Sequence, residues 1–430
     1  MKIKFLLWLP WFALPLAAAG QQAPENFPAT NALVLTPALI RGWTEELRTN
    51  HPALLSARAQ VAAAAASVAA VRTWEDPTIK LGGVAAREDF RASDGDIFYG
   101  VEQKLPLFGK PRLARQIAAA GFAVETNSAD FQFQNLRREF SRALFQAALA
   151  SETVVVGEED LVWLAAMTQT LESKYSTGQS RLAEVLSLQN EQAKRGEQLV
   201  TDRQKLIHLQ VGLNRFLNRS FLSPWPKLEL PAVADAVEYN DALVARALAH
   251  EPKLKMLRTQ VQQAAATVAL TRRQRLPEVS AGIQSRNFSG NGNFRQAEFM
   301  VSFNLPLGNA DKYRSDIRRD EAKRTATELD VADYELTVRE NLHMMTVNLD
   351  AARRTARLYR DEVMPRAEQA VSAARTAWES GGGQFRDVLD ARRMLLEARL
   401  AYAGAVAEQQ QMLGELAFAC GGDPADFQPK

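Results

Sequence analysis

Two carboxylates, Asp387 and Asp390, stand three residues apart in the stretch DVLDA, residues 387–391, shortly after the triplet Gly381-Gly382-Gly383. On a helix that spacing brings both onto one face. Such a pair attracts cations and repels itself when both acids are ionised. The same two residues also read as ordinary solvated acids in a first helical turn, where negative charge suits the helix dipole. Little else in the chain suggests chemistry. Four histidines, His51, His208, His250 and His343, are scattered without ligand spacing, so no metal site is expected. His343-Met344-Met345 offers soft donors, but consecutive helical positions point in different directions, and the methionines read as packing. With no Gly-rich phosphate loop, nucleophile elbow or paired catalytic histidine, the expectation is a protein that is not an enzyme and needs no cofactor. The 52 Lys and Arg are interleaved with 50 Asp and Glu, a net charge of +2, which leaves no footprint for nucleic acid.

The elements that position these residues begin after a leader. Residues 1–20 carry Lys2 and Lys4, an apolar run and then Ala17-Ala18-Ala19. They read as a secretory signal peptide, since the apolar run is short for a membrane anchor. No cysteine comes after it at the expected cleavage point, so the chain is not expected to be lipid-anchored at its N-terminus, and Cys420, the single cysteine, has no partner for an internal disulfide. No later segment has 18 consecutive apolar residues, so no further helix is expected to cross a bilayer.

The rest of the chain repeats itself. His51-Pro52 pairs with Glu251-Pro252, Asp76-Pro77-Thr78 with Leu276-Pro277-Glu278, Gly82 with Gly282 and Pro106 with Pro306, all at an offset of 200. Further on, KYSTGQSRLAEVL from Lys174 matches AWESGGGQFRDVL from Ala377, with Gly178 opposite Gly381. The expected organisation is a first repeat over 21–221, a proline-rich linker over 222–236, a second repeat over 237–420 and a tail over 421–430. Each repeat reads as a helix, two strands, a very long helix, a glycine turn and a returning helix. The long helices are expected over 111–175 and 311–378, and the returning ones over 182–219 and 385–418. A helix from 111 to 175 would be ~95 Å long at ~1.5 Å per residue, longer than a globular domain. Pro365 predicts a bend in the second long helix. On the returning helix, Leu186-Ala193-Val200-Ile207 and Leu199-Leu206-Leu213 step by seven, a coiled-coil seam.

Four strands are expected, over 78–86, 97–105, 278–286 and 297–305. Val279, Ala281 and Ile283 alternate with Ser280, Gln284 and Arg286, and Phe299, Val301, Phe303 and Leu305 alternate with Glu298, Ser302 and Asn304. One apolar face, one polar face and a length near nine residues fit transmembrane barrel strands; soluble half-buried hairpins are the alternative. Four strands cannot close a barrel, and an open edge is not tolerated in lipid. Two, three or four copies would give 8, 12 or 16 strands. Pro106 and Pro306 lack the donor that would extend a sheet and fit the first turn of the succeeding helix. A strand that hands over directly to a long helix suits a barrel continued by a tube of helices.

With LPLFGK at 105–110 and DVLDA at 387–391, the arrangement resembles the outer-membrane efflux protein family typified by TolC, over nearly the whole mature chain. The LPLFGK form resembles the branch serving metal-exporting pumps of the RND type. The resemblance implies a mainly α fold with a small β part, and a homotrimer whose 12-stranded transmembrane barrel sits in outer-membrane lipid and continues into a periplasmic α-helical barrel. It implies a passive exit duct that docks a periplasmic adaptor protein connected to an inner-membrane RND-type pump, with metal cations among the expected cargo. In the family the D-V-L-D aspartates line a constriction at the periplasmic mouth. Here they match Asp387 and Asp390, which three copies would stack as two acidic rings. The first repeat has Glu184 and Ser187 at the corresponding places. Trp378 keeps the family's aromatic before the tip glycine, but Gly383 stands where the typical channel has an arginine, so a closing network built on that arginine is not expected. The turns Thr177-Gly178-Gln179-Ser180 and Gly381-Gly382-Gly383-Gln384 resemble adaptor-contacting tips. Pro106, Gly109 and Pro306 mark the strand-to-helix transition. A duct for a type I protein-secretion system and a secreted coiled-coil adaptor or structural protein remain alternative readings.

Overall fold

The computed structural model describes residues 32–84, 96–288, 292–305 and 308–422. The expected signal peptide, residues 85–86 of the first expected strand, Pro306 and residues 423–430 of the expected tail lie outside the described residues.

A short β1 (Leu33–Val34) and two helices, α1 (Pro37–Asn50) and α2 (Pro52–Ala70), lead to β2 (Thr78–Val84) and β3 (Asp96–Lys104). Then come α3 (Lys110–Ser176) and α4 (Leu182–Leu217). Past β4 (Leu228–Glu229) the order recurs as α5 (Asp241–His250), α6 (Pro252–Gln274), β5 (Glu278–Phe288) and β6 (Phe294–Asn304). It closes with α7 (Ala310–Leu358), α8 (Met364–Glu379) and α9 (Phe385–Ala419). The fold is mainly helical with a small sheet part. With 67 residues, α3 runs for about 100 Å at about 1.5 Å per residue. It packs along its length on α2, α4, α6 and α9. Gly157 faces α4, where an added Cβ would come within 3.2 Å of Leu199 Cδ1.

Between α7 and α8 the helix widens into a π turn over Tyr359–Val363, with the Met364 N–H donating to the Tyr359 carbonyl. Pro365 follows after Met364. Proline has no N–H to give and its ring crowds the preceding turn, so the departure expected at this position takes the form of a wider turn just before it.

The four larger strands form one antiparallel sheet in the order β2-β3-β5-β6. The last ladder bond beside the junction is donated by the Leu105 N–H to the Val279 carbonyl at 2.8 Å. Pro106 ends the strand there, and the first turn of α3 is instead occupied by Pro111. Between them Phe108 (φ 60°) and Gly109 (φ 71°) are both left-handed, which turns the chain from strand into helix.

The main core lies midway along the helices, where Trp43, Leu47, Phe140, Leu144, Leu213 and Phe216 meet. The proline-rich stretch 222–236 belongs to it instead of bridging over it. Trp225 and Leu228 are buried, and the Trp225 Nε1–H donates to Asn214 Oδ1 at 2.7 Å. The Gln409 amide accepts from the Ala234 N–H at 2.9 Å and donates to the Ala234 carbonyl at 2.8 Å. Cys420 is buried in a second cluster with Leu243, Ala247, Leu342 and Leu416.

The seam expected on α4 needs correction. The α4 stripes separate: Leu199 and Leu213 are buried within the chain, whereas Leu186, Ala193, Val200 and Ile207 are exposed. Residues 199 and 200 lie about 100° apart around the helix, so one neighbouring helix covers one stripe and leaves the other. The helix α2 is long and apolar enough by composition to cross a membrane. Its alanines supply that character without an unbroken apolar run. It packs on α3 as α6 does, and the Arg58 guanidinium donates to the Arg48 carbonyl at 2.8 Å.

Candidate channel mouth and membrane face

Two helix turns lie next to each other at the end of the helices far from the sheet. In the first, the Gly178 N–H donates to the Tyr175 carbonyl at 3.0 Å and the Gln179 N–H to the Lys174 carbonyl at 2.8 Å. In the second, the Gly381 N–H donates to the Trp378 carbonyl at 3.1 Å and the Gly382 N–H to the Ala377 carbonyl at 2.9 Å. Both turns need a left-handed residue, supplied by Gly178 (φ 75°) and Gly381 (φ 81°). Gly383 is tightly packed for a different reason: a Cβ there would sit 3.1–3.2 Å from Ala377 and the Trp378 nitrogen. Thr177 donates to the Ser173 and Lys174 carbonyls, and the Ser180 hydroxyl donates to the Leu171 carbonyl at 3.2 Å.

The returning helices begin alike. The Arg181 N–H donates to Glu184 Oε2 at 3.3 Å, and the Gln384 N–H donates to Asp387 Oδ2 at 3.2 Å. Asp387 is therefore a capping carboxylate, the counterpart of Glu184 in the first turn. Asp390 is exposed and lies between Arg386, at 3.6 Å, and Arg393, at 3.5 Å. Arg393 in turn reaches Glu191 on α4 at 2.8 Å.

Trp378 is buried, whereas Asp387 and Asp390 are exposed. The tryptophan is 9% exposed and sits in a cluster under both turns with Leu164, Leu171, Val185, Leu188, Phe385 and Val388. Its ring centroid lies 5.3 Å from that of Phe385, the two planes tilted at 58°, and Lys174 Nζ lies 3.8 Å from its centroid.

Further from the tips lies an acidic knot that sequence reading misses. Asp160, 4% exposed on α3, accepts from Arg195 Nε of α4 at 3.0 Å and from Arg392 Nε of α9 at 3.2 Å. Its neighbours do the same at the surface: Glu158 pairs with Arg203 of α4 and Glu159 with Arg399 of α9, each at 2.6 Å. The signal in the sequence is the run Glu158-Glu159-Asp160, three acids that a helix fans out toward two different neighbours, together with Arg392-Arg393 behind DVLDA.

At the other end the sheet divides its residues cleanly. Ile79, Leu81, Ile97, Tyr99, Val101, Ile283, Phe299, Val301 and Phe303 share one face by register, and all are exposed, Leu81 at 77% and Phe299 at 82%. The opposite face carries Lys80, Glu102, Lys104, Glu278, Ser280 and Ser302. Glu102 pairs with Lys80 and accepts from the hydroxyls of Ser280 and Ser302, while Lys104 pairs with Glu75 and Glu278. Phe98 lies over Gly82, where a Cβ would collide with its ring. Polar side chains thus pair with one another on one face, while the other is mainly hydrocarbon, with Gln103, Ser285 and Asn287 toward its two ends.

The profile of the "Outer membrane efflux protein" family matches residues 43–219 and 243–422. The chain belongs to that family. The family consists of efflux channels of the outer membrane, which are not enzymes. A curated relative, the cobalt-zinc-cadmium resistance protein CzcC of Cupriavidus metallidurans, is 25% identical over 190 residues, 42% of this chain. The match spans 44% of that relative's length, less than half of it. Among solved structures, VceC of Vibrio cholerae superposes with a TM-score of 0.76 at 17% identity, over 90% of this chain and 96% of VceC. CusC superposes with a TM-score of 0.78 at 15% identity, over 89% of this chain and 92% of CusC. At such identities the likeness speaks for the fold, that of the outer-membrane channels.

Proposed function

We propose that the chain is the outer-membrane channel of a tripartite efflux pump, a passive exit duct formed by three copies. The observation that carries this reading is the four-stranded sheet itself. One of its faces is exposed hydrocarbon, and its outer strands β2 and β6 each pair on one side only among the described residues. In lipid, unpaired backbone edges cost several kcal/mol per group, so the edges must be closed by further copies. Three copies give 12 strands, a size that encloses a pore, with the satisfied polar face turned to water. The exposed stripe Leu186-Ala193-Val200-Ile207 supplies an apolar seam for neighbouring copies along the helical part. A secreted coiled-coil adaptor would have no use for the bare sheet face.

In this assembly the turns at Thr177–Ser180 and Gly381–Gln384 face the periplasm and dock the adaptor that links the duct to an RND-type pump. Asp387 and Asp390 make the mouth acidic, and Trp378 holds the two turns together from beneath. Metal cations are the cargo that the acidic mouth and the name of the CzcC relative jointly favour. The deciding experiment is the native mass of protein extracted in mild detergent from separated membrane fractions. A threefold mass in the outer-membrane fraction is expected; a monomer released without detergent would overturn the reading.

A further inference from the structure

All four strand-to-helix junctions fall at one end of the sheet. There β2 and β5 begin and β3 and β6 end, with Thr78 paired to Glu102, Lys104 to Ser280 and Glu278 to Asn304. The helices below are tied to each other at the same level. Lys110 Nζ donates to the Leu276 carbonyl at 2.9 Å, the Thr271 hydroxyl to Asp320 at 2.7 Å, and Arg272 pairs with Glu321 at 2.6 Å. The junction residues therefore form a collar at the edge of the apolar sheet face.

The collar is strongly basic in a chain that is nearly neutral. Residues 72–76, 104–115, 272–278 and 310–321 hold twelve Lys and Arg against seven Asp and Glu, a net charge of +5. The whole chain carries +2, so the remainder is net negative at −3. Within the collar Arg112, Arg115, Arg273, Arg275 and Arg318 are exposed and meet no carboxylate among the described residues. Aromatic rings share the level: Trp74 and Phe108 are both exposed. Phe108 stands outward although its backbone is left-handed, a conformation rarely adopted by a bulky residue. From the sheet toward the helices the surface thus passes from hydrocarbon to aromatic rings to guanidinium groups, the order in which a bilayer passes from acyl chain to interface to phosphate.

We propose that this collar binds the phosphate groups of anionic phospholipid in the periplasmic leaflet and fixes how deeply the barrel sits. The inference rests on the channel function proposed for the chain. Guanidinium groups engage phosphate oxygens through paired N–H donors, and five that meet no carboxylate among the described residues are available for it.

The test uses the intact detergent-extracted protein and native mass spectrometry. Phosphatidylglycerol and phosphatidylcholine of equal chain length are the probes. The wild type is expected to retain phosphatidylglycerol at least about tenfold better, with the preference falling as salt is raised. The combined substitution Arg112→Gln, Arg273→Gln, Arg275→Gln and Arg318→Gln is expected to abolish the preference while leaving the oligomer's mass unchanged. Should that variant misfold, Arg273→Gln and Arg275→Gln singly are each expected to lower the preference about fivefold. Equal retention of the two lipids by the wild type, or an undiminished preference in the variants, would overturn the proposal. So would loss of the preference in millimolar inorganic phosphate, which assigns the site to free anion. A change in channel ion selectivity without any change in lipid preference would place the arginines in the lumen and overturn it too. Failure of the channel reading looks different, since the chain would then be absent from the membrane fraction altogether.

Discussion

The ammonium of Lys174, in the last turn of α3, lies 3.8 Å from the centroid of the Trp378 ring, in the last turn of α8. One residue from each turn is thereby joined over a shared apolar floor, so the two tips form a single unit. The ring contributes mostly through burial, since it is 9% exposed and packs at a tilt against Phe385.

Trp378→Ala should therefore cost about 3–5 kcal/mol through the cavity it opens. Lys174→Met should cost about 0.5–1 kcal/mol, the scale of a half-exposed cation–π contact. Thermal unfolding of the purified oligomer measures both, and limited proteolysis at the turns should show faster cleavage in the Trp378 variant alone. Equal losses for the two substitutions would mean that the charge, and not the ring, holds the tips together.

Asp160 makes a prediction of another kind, because two arginines from different helices share one buried carboxylate. Removing the carboxylate by Asp160→Ala strands both guanidiniums and should cost about 3–5 kcal/mol. Arg392→Met should cost less, because Arg195 remains at 3.0 Å to neutralise the acid. The double variant Arg195→Met with Arg392→Met should then lose at least about 0.5 kcal/mol more than the two single losses added together, in a double-mutant cycle read by unfolding. Strict additivity would show that the two pairs act independently.

The caps of α2 and α6 occupy equivalent places, and they respond to pH in opposite directions. His51 Nδ1 accepts from the Ala53 N–H at 3.2 Å, and burial, then the charge of Arg215, holds the imidazole pKa below its ordinary value. The folded state therefore binds this proton less readily than the unfolded chain. Its contribution is present above about pH 6.5, the ordinary value, and is lost as pH falls toward the lowered one. Glu251 accepts from the Leu254 N–H at 2.6 Å and from the Tyr334 hydroxyl at 2.9 Å. Burial nevertheless raises its pKa, outweighing those bonds. Its contribution is fully present below about pH 4.5, the ordinary value, and is lost as pH rises through the raised one. His51→Asn, which keeps a capping acceptor without a titrating group, should flatten the loss of melting temperature on acidification below about pH 6.5. Glu251→Gln should raise the melting temperature near neutral pH relative to wild type and leave it unchanged near about pH 4. A wild-type melting temperature that both substitutions leave equally pH-dependent would remove the caps from the account.

How much of this is legible in the sequence depends on the range of each interaction. The strands read to within a few residues because period-two alternation is local: 97–105 is expected where β3 spans Asp96–Lys104. The turns are legible for the same reason, through glycines that local backbone geometry demands. Asp160 is not, since its partners lie 35 and 232 residues away and nothing in a helical run of acids says which arginine will face it. The stretch 222–236 reads as a plain linker because proline marks irregular backbone, whereas the burial of Trp225 and Leu228 depends on which helices surround them. The two stripes of α4 are indistinguishable by spacing, for a heptad records periodicity and not which neighbour is present.

The proposed acidic mouth supplies the last prediction, and the capping geometry sharpens it. Asp387 gives one oxygen to the Gln384 N–H, whereas Asp390 meets only two loosely placed arginines, both at 3.5 Å or more. Substituting Asp387 by Ala would remove a cap as well as a charge, costing about 1 kcal/mol of local helix stability. Asp387→Asn keeps an acceptor for the cap and removes the charge alone. If the two residues form stacked rings in a trimer, Asp387→Asn with Asp390→Asn should weaken cation preference in planar-bilayer recordings several-fold without altering the oligomer's mass. Asp390→Asn by itself should produce most of that change, because its carboxylate is the less committed of the two. An unchanged selectivity in the double variant would move the constriction elsewhere and leave Asp387 with the capping role it shares with Glu184.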